Sequence, residues 1–482
     1  MTKDLLKSSV IYTILGFLPL SFSLVFTPIY LNYMSELEYG LLNLFMVYAG
    51  IISQVISLGV SSIFMYQFWD VYQDKLKLKE LISSTLGGIL LIQVIIISLL
   101  LLLGKPILKL LVANDAFTFA PFFVCTLLFA ALMVHYELFL ALFRNQSNLK
   151  AFSWLAAGSL VLMTIGSLVG VVWLEMQAEG AIYGRIMGYG ILIIVFGFYL
   201  VKKYGLSLRL TKLKKMILLG FPIFANGLIG SFGYGIDKIM VERILSLEAL
   251  GIYAFAVVIA STLETLFNAL NNALSPTIYK MMKETKKVKD AEINRLVHSI
   301  IFVLIIAISI LLIVLQPVLN VLIPQNFHEA AQYVPILVVA ILWRAFTTIE
   351  VMALYKKKKT NYFVYNQITF LTAAVVFGYF LLNQFGLLGI AMAIYIARVI
   401  EFIVMKLLVN SVDNLDLDLK RLQLATIIFS IVSFTAAFLY FETNSQIFYT
   451  IPFFCAVILC VSLLQKESKE FIKILKYRNQ SL

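Results

Sequence analysis

Three ionisable residues, Glu264, Arg344 and Arg398, lie in the middle of long apolar runs. A charge at bilayer depth costs about 2.5–3.5 kcal/mol on insertion scales, so such residues face a bundle interior or a wet cavity. A guanidinium is planar, permanently charged and matched to two phosphate oxygens at once. Arg344 and Arg398 are therefore candidates for holding a diphosphate, with Lys238 and Arg185, nearer the ends of their runs, as further contacts. A plainer reading pairs Arg398 with Glu401, three residues on and on the same helix face. Both readings of Arg398 stand; for Arg344, Glu350 falls on another face, which favours a ligand. Glu264, with Asp237, is a candidate for coupling to a proton or sodium gradient. It is equally a candidate for a structural pair with Lys238 or with an arginine on a facing helix. Asn268, Asn271 and Asn272 continue the polar face of Glu264 at helical spacing, and Gln54 is the one polar residue of its run assigned to a cavity; carboxamides suit sugar hydroxyls, and equally helix-to-helix hydrogen bonds. His135, Glu137 and Glu350 lie nearer a run end, within snorkelling reach of water.

The elements that must position these groups follow from composition. Of 482 residues 61% are hydrophobic and 13% charged, with a mean hydropathy of +0.95, which excludes a soluble globular class. A hydrocarbon core of about 30 Å takes roughly 20 apolar residues of helix. Runs of that length occur at Ser8–Tyr30, Leu41–Phe64, Leu81–Leu103, Phe119–Leu142, Phe152–Trp173, Ala181–Val201, Met216–Met240, Leu250–Leu274, Leu296–Leu315, Val334–Leu354, Tyr362–Leu382, Leu387–Leu408, Leu422–Phe441 and Ile447–Leu464. The expectation is an all-α polytopic membrane protein of fourteen transmembrane helices. The first run is long for a signal core and lacks a closing cleavage pattern, so it reads as a retained span. Barrel strands, alternating at period two over about 10 residues, do not fit continuous runs of this length.

With both termini in the cytoplasm, most of the 38 basic residues fall inside, including Lys75, Lys77 and Lys79, the stretch from Lys202 to Lys215, Lys356–Lys359 and the tail from Lys466 to Arg478. Only Lys105, Lys109 and Arg243 fall in outside connections. The net charge of +12 is thus mostly topology, and it is not the footprint of a nucleic-acid binder. Lys356–Lys359 as a site for anionic lipid or a partner is the weaker alternative. Cys125, Cys455 and Cys460 lie in apolar runs without metal-ligand spacing, so neither a disulfide framework nor a zinc site is expected.

An internal repeat organises the spans. Ser35-Glu36-Leu37-Glu38-Tyr39-Gly40-Leu41 is matched 211 positions later by Ser246-Leu247-Glu248-Ala249-Leu250-Gly251-Ile252. Ala141-Leu142-Phe143-Arg144 is matched by Ala353-Leu354-Tyr355-Lys356, and Gly180-Ala181-Ile182 by Gly389-Ile390-Ala391. Six spans per copy is an even number, so the copies are parallel. The expected division is a six-helix lobe over 1–207, a second over 208–412, and two further helices with a basic tail over 413–482. Parallel lobes enclose a cleft that opens to either side, an alternating-access design.

Leu37-Glu38-Tyr39-Gly40-Leu41 and Ser57-Leu58-Gly59-Val60-Ser61-Ser62 resemble the start of the bacterial polysaccharide-export flippases, the O-antigen or repeat-unit (Wzx-like) members of the multidrug/oligosaccharidyl-lipid/polysaccharide exporter superfamily. Gly220-Phe221-Pro222, Ile236-Asp237-Lys238 and Gly251-Ile252-Tyr253-Ala254 resemble that family's second half. The resemblance spans most of the first twelve helices. It implies export of an undecaprenyl-diphosphate-linked oligosaccharide from the inner to the outer leaflet of the bacterial cell membrane, for surface polysaccharide such as capsule or O-antigen. It implies association with a polymerase or chain-length partner; two lobes already form a cleft, so a chain that works as a monomer in its lipids is expected, and no bound cofactor. The arginine-rich first span of lipid II flippases is absent, since Ser8–Tyr30 carries no charge, and fourteen spans disfavour the multidrug branch.

Two other classes compete. A drug or small-cation exporter on the same fold calls for acidic and aromatic groups in its cleft rather than arginines. A membrane glycosyltransferase or polymerase would use an acidic pair such as Glu36 and Glu38. That loop, Leu31–Gly40, is short, and the longest outside connection, Gln316–Tyr333, does not hold a catalytic domain, so an enzyme is not expected.

Overall fold

The computed structural model describes residues 25–283, 287–356, 361–411 and 419–443, with isolated positions outside these ranges. Among the described residues there is no strand, and eleven helices are long and apolar enough to cross a membrane. Residues 25–33 are helical; most of the first expected span and of the fourteenth lies outside the described residues.

Local chemistry sets the helix boundaries. Helix α1 (Glu36–Ser57) starts where the Ser35 hydroxyl accepts the Glu38 amide at 3.3 Å, with Glu36 and Glu38 in the first turn facing the positive end of the helix dipole. It stops at Leu58 and Gly59, both left-handed (φ 44° and 74°), and the chain re-enters helix as α2 (Val60–Val71). The second expected span is thus bent at the motif Leu58-Gly59. Helix α3 (Lys75–Leu102) is capped by Asp74, which accepts the Leu76 and Lys77 amides at 3.0 and 3.1 Å. Those hydrogen bonds, Lys77 first, hold the exposed Asp74 carboxyl below the ordinary aspartate range. A short α4 (Gly104–Leu111), α5 (Val124–Asn145), α6 (Leu149–Leu168) and α7 (Gln177–Tyr204) follow, then α8 (Leu210–Ile244) and α9 (Leu247–Lys283). The remainder are α10 (Lys287–Leu322), α11 (Val334–Lys356), α12 (Asn361–Asn410) and α13 (Lys420–Thr443). Helix α12 contains both the eleventh and twelfth expected spans, separated by a non-helical Gly386 (φ 56°, ψ −139°).

The chain forms two compact units, Met1–Gly251 and Ile252–Leu482. In the first, α1 is surrounded by α3, α5, α7 and α8, and Phe45 of α1 packs on Phe129 of α5 with both rings buried. The seventh expected span, α8, packs on α1 and α2 within this unit. Compactness and sequence repeat are different criteria, and the expected lobe boundary at 207 falls before a helix that compactness groups with the first unit. The connection at 205–209 is tied to the start of α3: Ser207 donates its amide to the Ser83 carbonyl at 3.3 Å, the two hydroxyls lie 2.9 Å apart, and Glu80 pairs with Arg209 and, at 2.6 Å, with Lys212.

In the second unit α11 is almost wholly buried among α10, α12 and α13. Trp343 of α11 donates its indole N–H to the Tyr395 hydroxyl at 3.1 Å, and Tyr395 meets Phe434 of α13 edge-on at 4.6 Å between centroids. The thirteenth expected span is therefore packed on the helix that carries Arg344.

Candidate functional site: a lysine-bearing cavity and two ion pairs

Helical spacing brings polar and small residues of α1 and α8 to one cavity. On α1 these are Asn43, Met46, Val47 and Gly50, at steps of three and four; on α8 they are Gly227, Gly230, Ser231, Tyr234 and Lys238, again one face. Met133 of α5 completes the lining, and the volume is about 410 Å³. Glycines leave this space where larger residues would fill it, and the helices come close at its margins. A Cβ on Gly227 would lie 2.8 Å from Gln54 Oε1, which sets Gln54 at the edge of the cavity.

Lys238 supplies the charge. The residue is 5% exposed and its ammonium lies 4.7 Å from the centroid of the Tyr234 ring, one turn away on the same helix. None of the ion pairs among the described residues takes Lys238. Asp237, also buried, accepts the Lys238 backbone amide at 2.8 Å. The cavity thus holds a desolvated ammonium beside an asparagine, a serine and a tyrosine. Such a set offers a charge-assisted bond and hydrogen bonds to an anionic oxygen group.

The arginines are placed differently. Arg344 of α11 pairs with Glu264 of α9, so the diphosphate candidate and the ion-coupling candidate are one ion pair, with side chains 32% and 26% exposed. Arg398 donates to Glu401 at 2.7 Å and stacks 3.7 Å over the Phe370 ring, while Asn366 donates to the other Glu401 oxygen at 2.8 Å. Arg185 donates to the Ala181 carbonyl at 3.0 Å and lies 5.8 Å from the Tyr30 ring; it does not line the cavity. Asn268 and Asn272 are exposed and Asn271 is half-buried.

Of the residues named from sequence, the structure brings Lys238 to the cavity and Gln54 to its edge, and joins Arg344 to Glu264 and Arg398 to Glu401. Glu264 and Asp237 belong to different units. Snorkelling does not describe His135 or Glu350, both buried; the His135 Nδ1 lies 3.1 Å from the Ala131 carbonyl and 3.3 Å from the Gln93 amide nitrogen. Asn43, Ser231 and Tyr234 escaped the sequence reading, although Asn43, Gly50 and Gln54 share a face of span two and Ser231 and Lys238 one of span seven. Glu242 was also missed: it is buried at the end of α8, where one oxygen accepts the Ala113 and Asn114 amides at 2.9 and 2.8 Å. No group of three or more His, Cys, Asp or Glu suited to a metal ion occurs among the described residues.

Comparison with known proteins agrees with this architecture. A family model described as polysaccharide biosynthesis protein matches residues 5–282, more than half of the 482-residue chain. The capsular polysaccharide biosynthesis protein CapF of Staphylococcus aureus is 25% identical over 221 residues, 44% of this chain and 54% of the relative, so the match spans about half of that protein's length. The lipid II flippase MurJ in an inward closed conformation superposes with a TM-score of 0.68, covering 97% of this chain and 100% of that one at 14% identity. An inward-facing multidrug resistance MATE family transporter of the MOP superfamily superposes with a TM-score of 0.65, over 84% and 97% of the two chains at 14% identity. Similarity at that identity carries the fold. Many apolar helices in this shared arrangement, joined to a family match over the whole first half, establish a multi-pass protein of the bacterial cytoplasmic membrane that belongs to the polysaccharide biosynthesis protein family.

Proposed function

We propose that the protein is a flippase that moves a polyprenyl-diphosphate-linked oligosaccharide from the cytoplasmic to the outer leaflet for capsule or a related surface polymer. The observation that carries this reading is Lys238, a buried ammonium outside any described ion pair, in a cavity lined by Asn43, Ser231 and Tyr234. A phosphate oxygen supplies a negative charge to an ammonium that no described ion pair takes, and the hydroxyls and carboxamide suit the first sugar. At about 410 Å³ the space suits a headgroup and not a polyprenyl tail, which belongs in the surrounding lipid.

In this reading the chain has fourteen spans with both termini inside, and lobes over 1–207 and 208–412 alternate the cavity between the two sides, with 413–482 added. Arg344 offers its guanidinium to a phosphate by exchanging Glu264 for it, and the released carboxylate takes a proton or sodium ion, which ties the step to a gradient. Arg398, Arg185, Asn268, Asn271 and Asn272 are secondary contacts along the sugar path. The chain works as a monomer, without catalysis or a cofactor, and hands its cargo to a polymerase with its chain-length partner. A cationic drug is the poorer cargo for a cavity whose one charged lining residue is a lysine. The test is reconstitution in liposomes with a fluorescent polyprenyl-diphosphate oligosaccharide. Transbilayer movement is expected with the parent chain and is lost with Lys238→Ala; equal movement with both, or movement of an organic cation in its place, overturns the reading.

A further inference from the structure

The two copies of the repeated motif that precede spans two and eight touch each other. A Cβ on Gly40 would overlap the Leu247 carbonyl oxygen, and a Cβ on Gly251 would overlap the Glu36 carbonyl oxygen. Glu36 and Leu247 are equivalent positions of the repeat, as are Gly40 and Gly251, since each pair is 211 residues apart. The contact is therefore reciprocal, as a local two-fold requires. Each helix presents its first turn, and only glycine lets the two backbones meet.

A second crossing lies at the other end of α1, where its partner is α8 rather than α9. Gly59, in the left-handed break after α1, meets Gly220 of α8, and a Cβ on Gly220 would lie 2.9 Å from the Gly59 carbonyl oxygen. Here α1 ends, at Leu58 and Gly59, and α8, though unbroken, lacks one helical hydrogen bond at Pro222 just past the contact. The cavity lining of α1, Asn43 to Gly50, and of α8, Gly227 to Lys238, lies between the two crossings along the chain. From Gly40 to Gly59 the rise of a helix is about 28 Å, close to the thickness of the hydrocarbon core.

We infer that the two glycine crossings are the gates of the Lys238 cavity: Gly40 with Gly251 closes it on the outer side, and Gly59 with Gly220 on the cytoplasmic side. The assignment of sides rests on the proposed orientation; the existence of two gates does not. At both crossings glycine brings backbone directly against backbone, so each seals the gap between helices without a side chain in the way. The difference between them is mechanical. The outer crossing joins the first turns of α1 and α9 and opens as these turns part, whereas the inner one joins the break after α1 to the proline-containing stretch of an unbroken α8 and opens by bending at Gly59 and Pro222.

The test places a reporter in the cavity, Ser231→Cys, in a chain whose Cys125, Cys455 and Cys460 are replaced by serine. A membrane-impermeant maleimide is applied to spheroplasts and, separately, to inside-out vesicles. Gly40→Ala and Gly251→Ala are expected to speed labelling at least fivefold from the outer side alone, and Gly220→Ala by a similar factor from the cytoplasmic side alone. Gly220 is the choice at the inner crossing because its helical backbone accepts alanine, while Gly59 does not. Faster labelling from one and the same side in all three variants, or unchanged labelling in variants that remain monodisperse, overturns the proposal. A clean exchange of the two sides keeps the gates and reverses the orientation. Labelling needs no substrate, so the gates can stand even if the oligosaccharide reading fails. A second measurement leaves the glycines intact: spin labels at Leu37 and Glu248, and at Ser62 and Leu219, report across the two crossings in liposomes. Two distance populations are expected at each pair, and a single narrow population at both overturns the proposal.

Discussion

Three membrane-embedded cations named from sequence are held in opposite ways in the two units. In Met1–Gly251, Lys238 is buried at a cavity with an aromatic ring for company and no carboxylate among the described ion pairs; in Ile252–Leu482, Arg344 and Arg398 are each neutralised by a glutamate. A desolvated charge without a counter-ion is a cost to the fold, and it is retained where something else provides the opposite charge. A paired charge contributes specificity to helix packing and meets a ligand only if the pair opens. Depth in the membrane, the criterion available from sequence, does not separate these cases. The presence of a partner does.

The contrast predicts opposite signs for similar substitutions. Lys238→Met keeps the apolar length and removes the charge. It is expected to lower flipping by roughly 10- to 100-fold, the loss of one charge-assisted contact, while leaving the melting temperature in detergent unchanged or higher; a destabilised protein would show that Lys238 has a hidden structural partner. Arg344→Met is expected to do the reverse to stability, costing about 1–3 kcal/mol after allowance for the partial exposure of the pair. Thermal unfolding should show Arg344→Met with Glu264→Met recovering most of that loss, and additive losses would mean the two do not act as a pair. Smaller again is Arg398→Lys, which keeps the charge but gives up the stack on Phe370 and the planar donor to Glu401, for about 1 kcal/mol in the same assay.

The smallest effect concerns a charge outside the bilayer. Asp74 caps α3 with its carboxyl held below its ordinary value of 3.8, so its contribution is present above that value and fades as the pH falls through the lowered one. Hydrogen exchange at Leu76 and Lys77 should quicken on acidification in the parent chain. In Asp74→Asn, which caps without titrating, it should hold level, and equal acceleration in both would remove the carboxyl from the explanation.

Much of the architecture was legible because the bilayer forces it: continuous apolar runs of span length admit little but helices. The motif glycines were legible as texture only. Gly40, Gly59, Gly220 and Gly251 stand out in the sequence, but that they meet each other depends on which helices pack, which a one-dimensional pattern does not encode. The bend at Leu58-Gly59 was hidden inside an apolar run, since left-handed backbone leaves no mark on hydropathy. The site was half legible. Sequence singled out Lys238 and Gln54 and anticipated that Arg398 could pair with Glu401 and Glu264 with an arginine, yet three- and four-residue spacing is shared by ligand-lining and packing faces alike. Asn43 and Ser231 became visible only when α1 and α8 were set side by side.

The bond between Ser83 and Ser207, reinforced by Glu80 with Arg209 and Lys212, fastens the five-residue link 205–209 to the head of α3. A link so short and so tethered has no slack, so α8 cannot swing at its Gly220 end without pulling on α3 or tearing the tether. Travel of the seventh helix is thereby metered by a clasp made of serines and ions, and raising the salt concentration should loosen that meter before it loosens the fold.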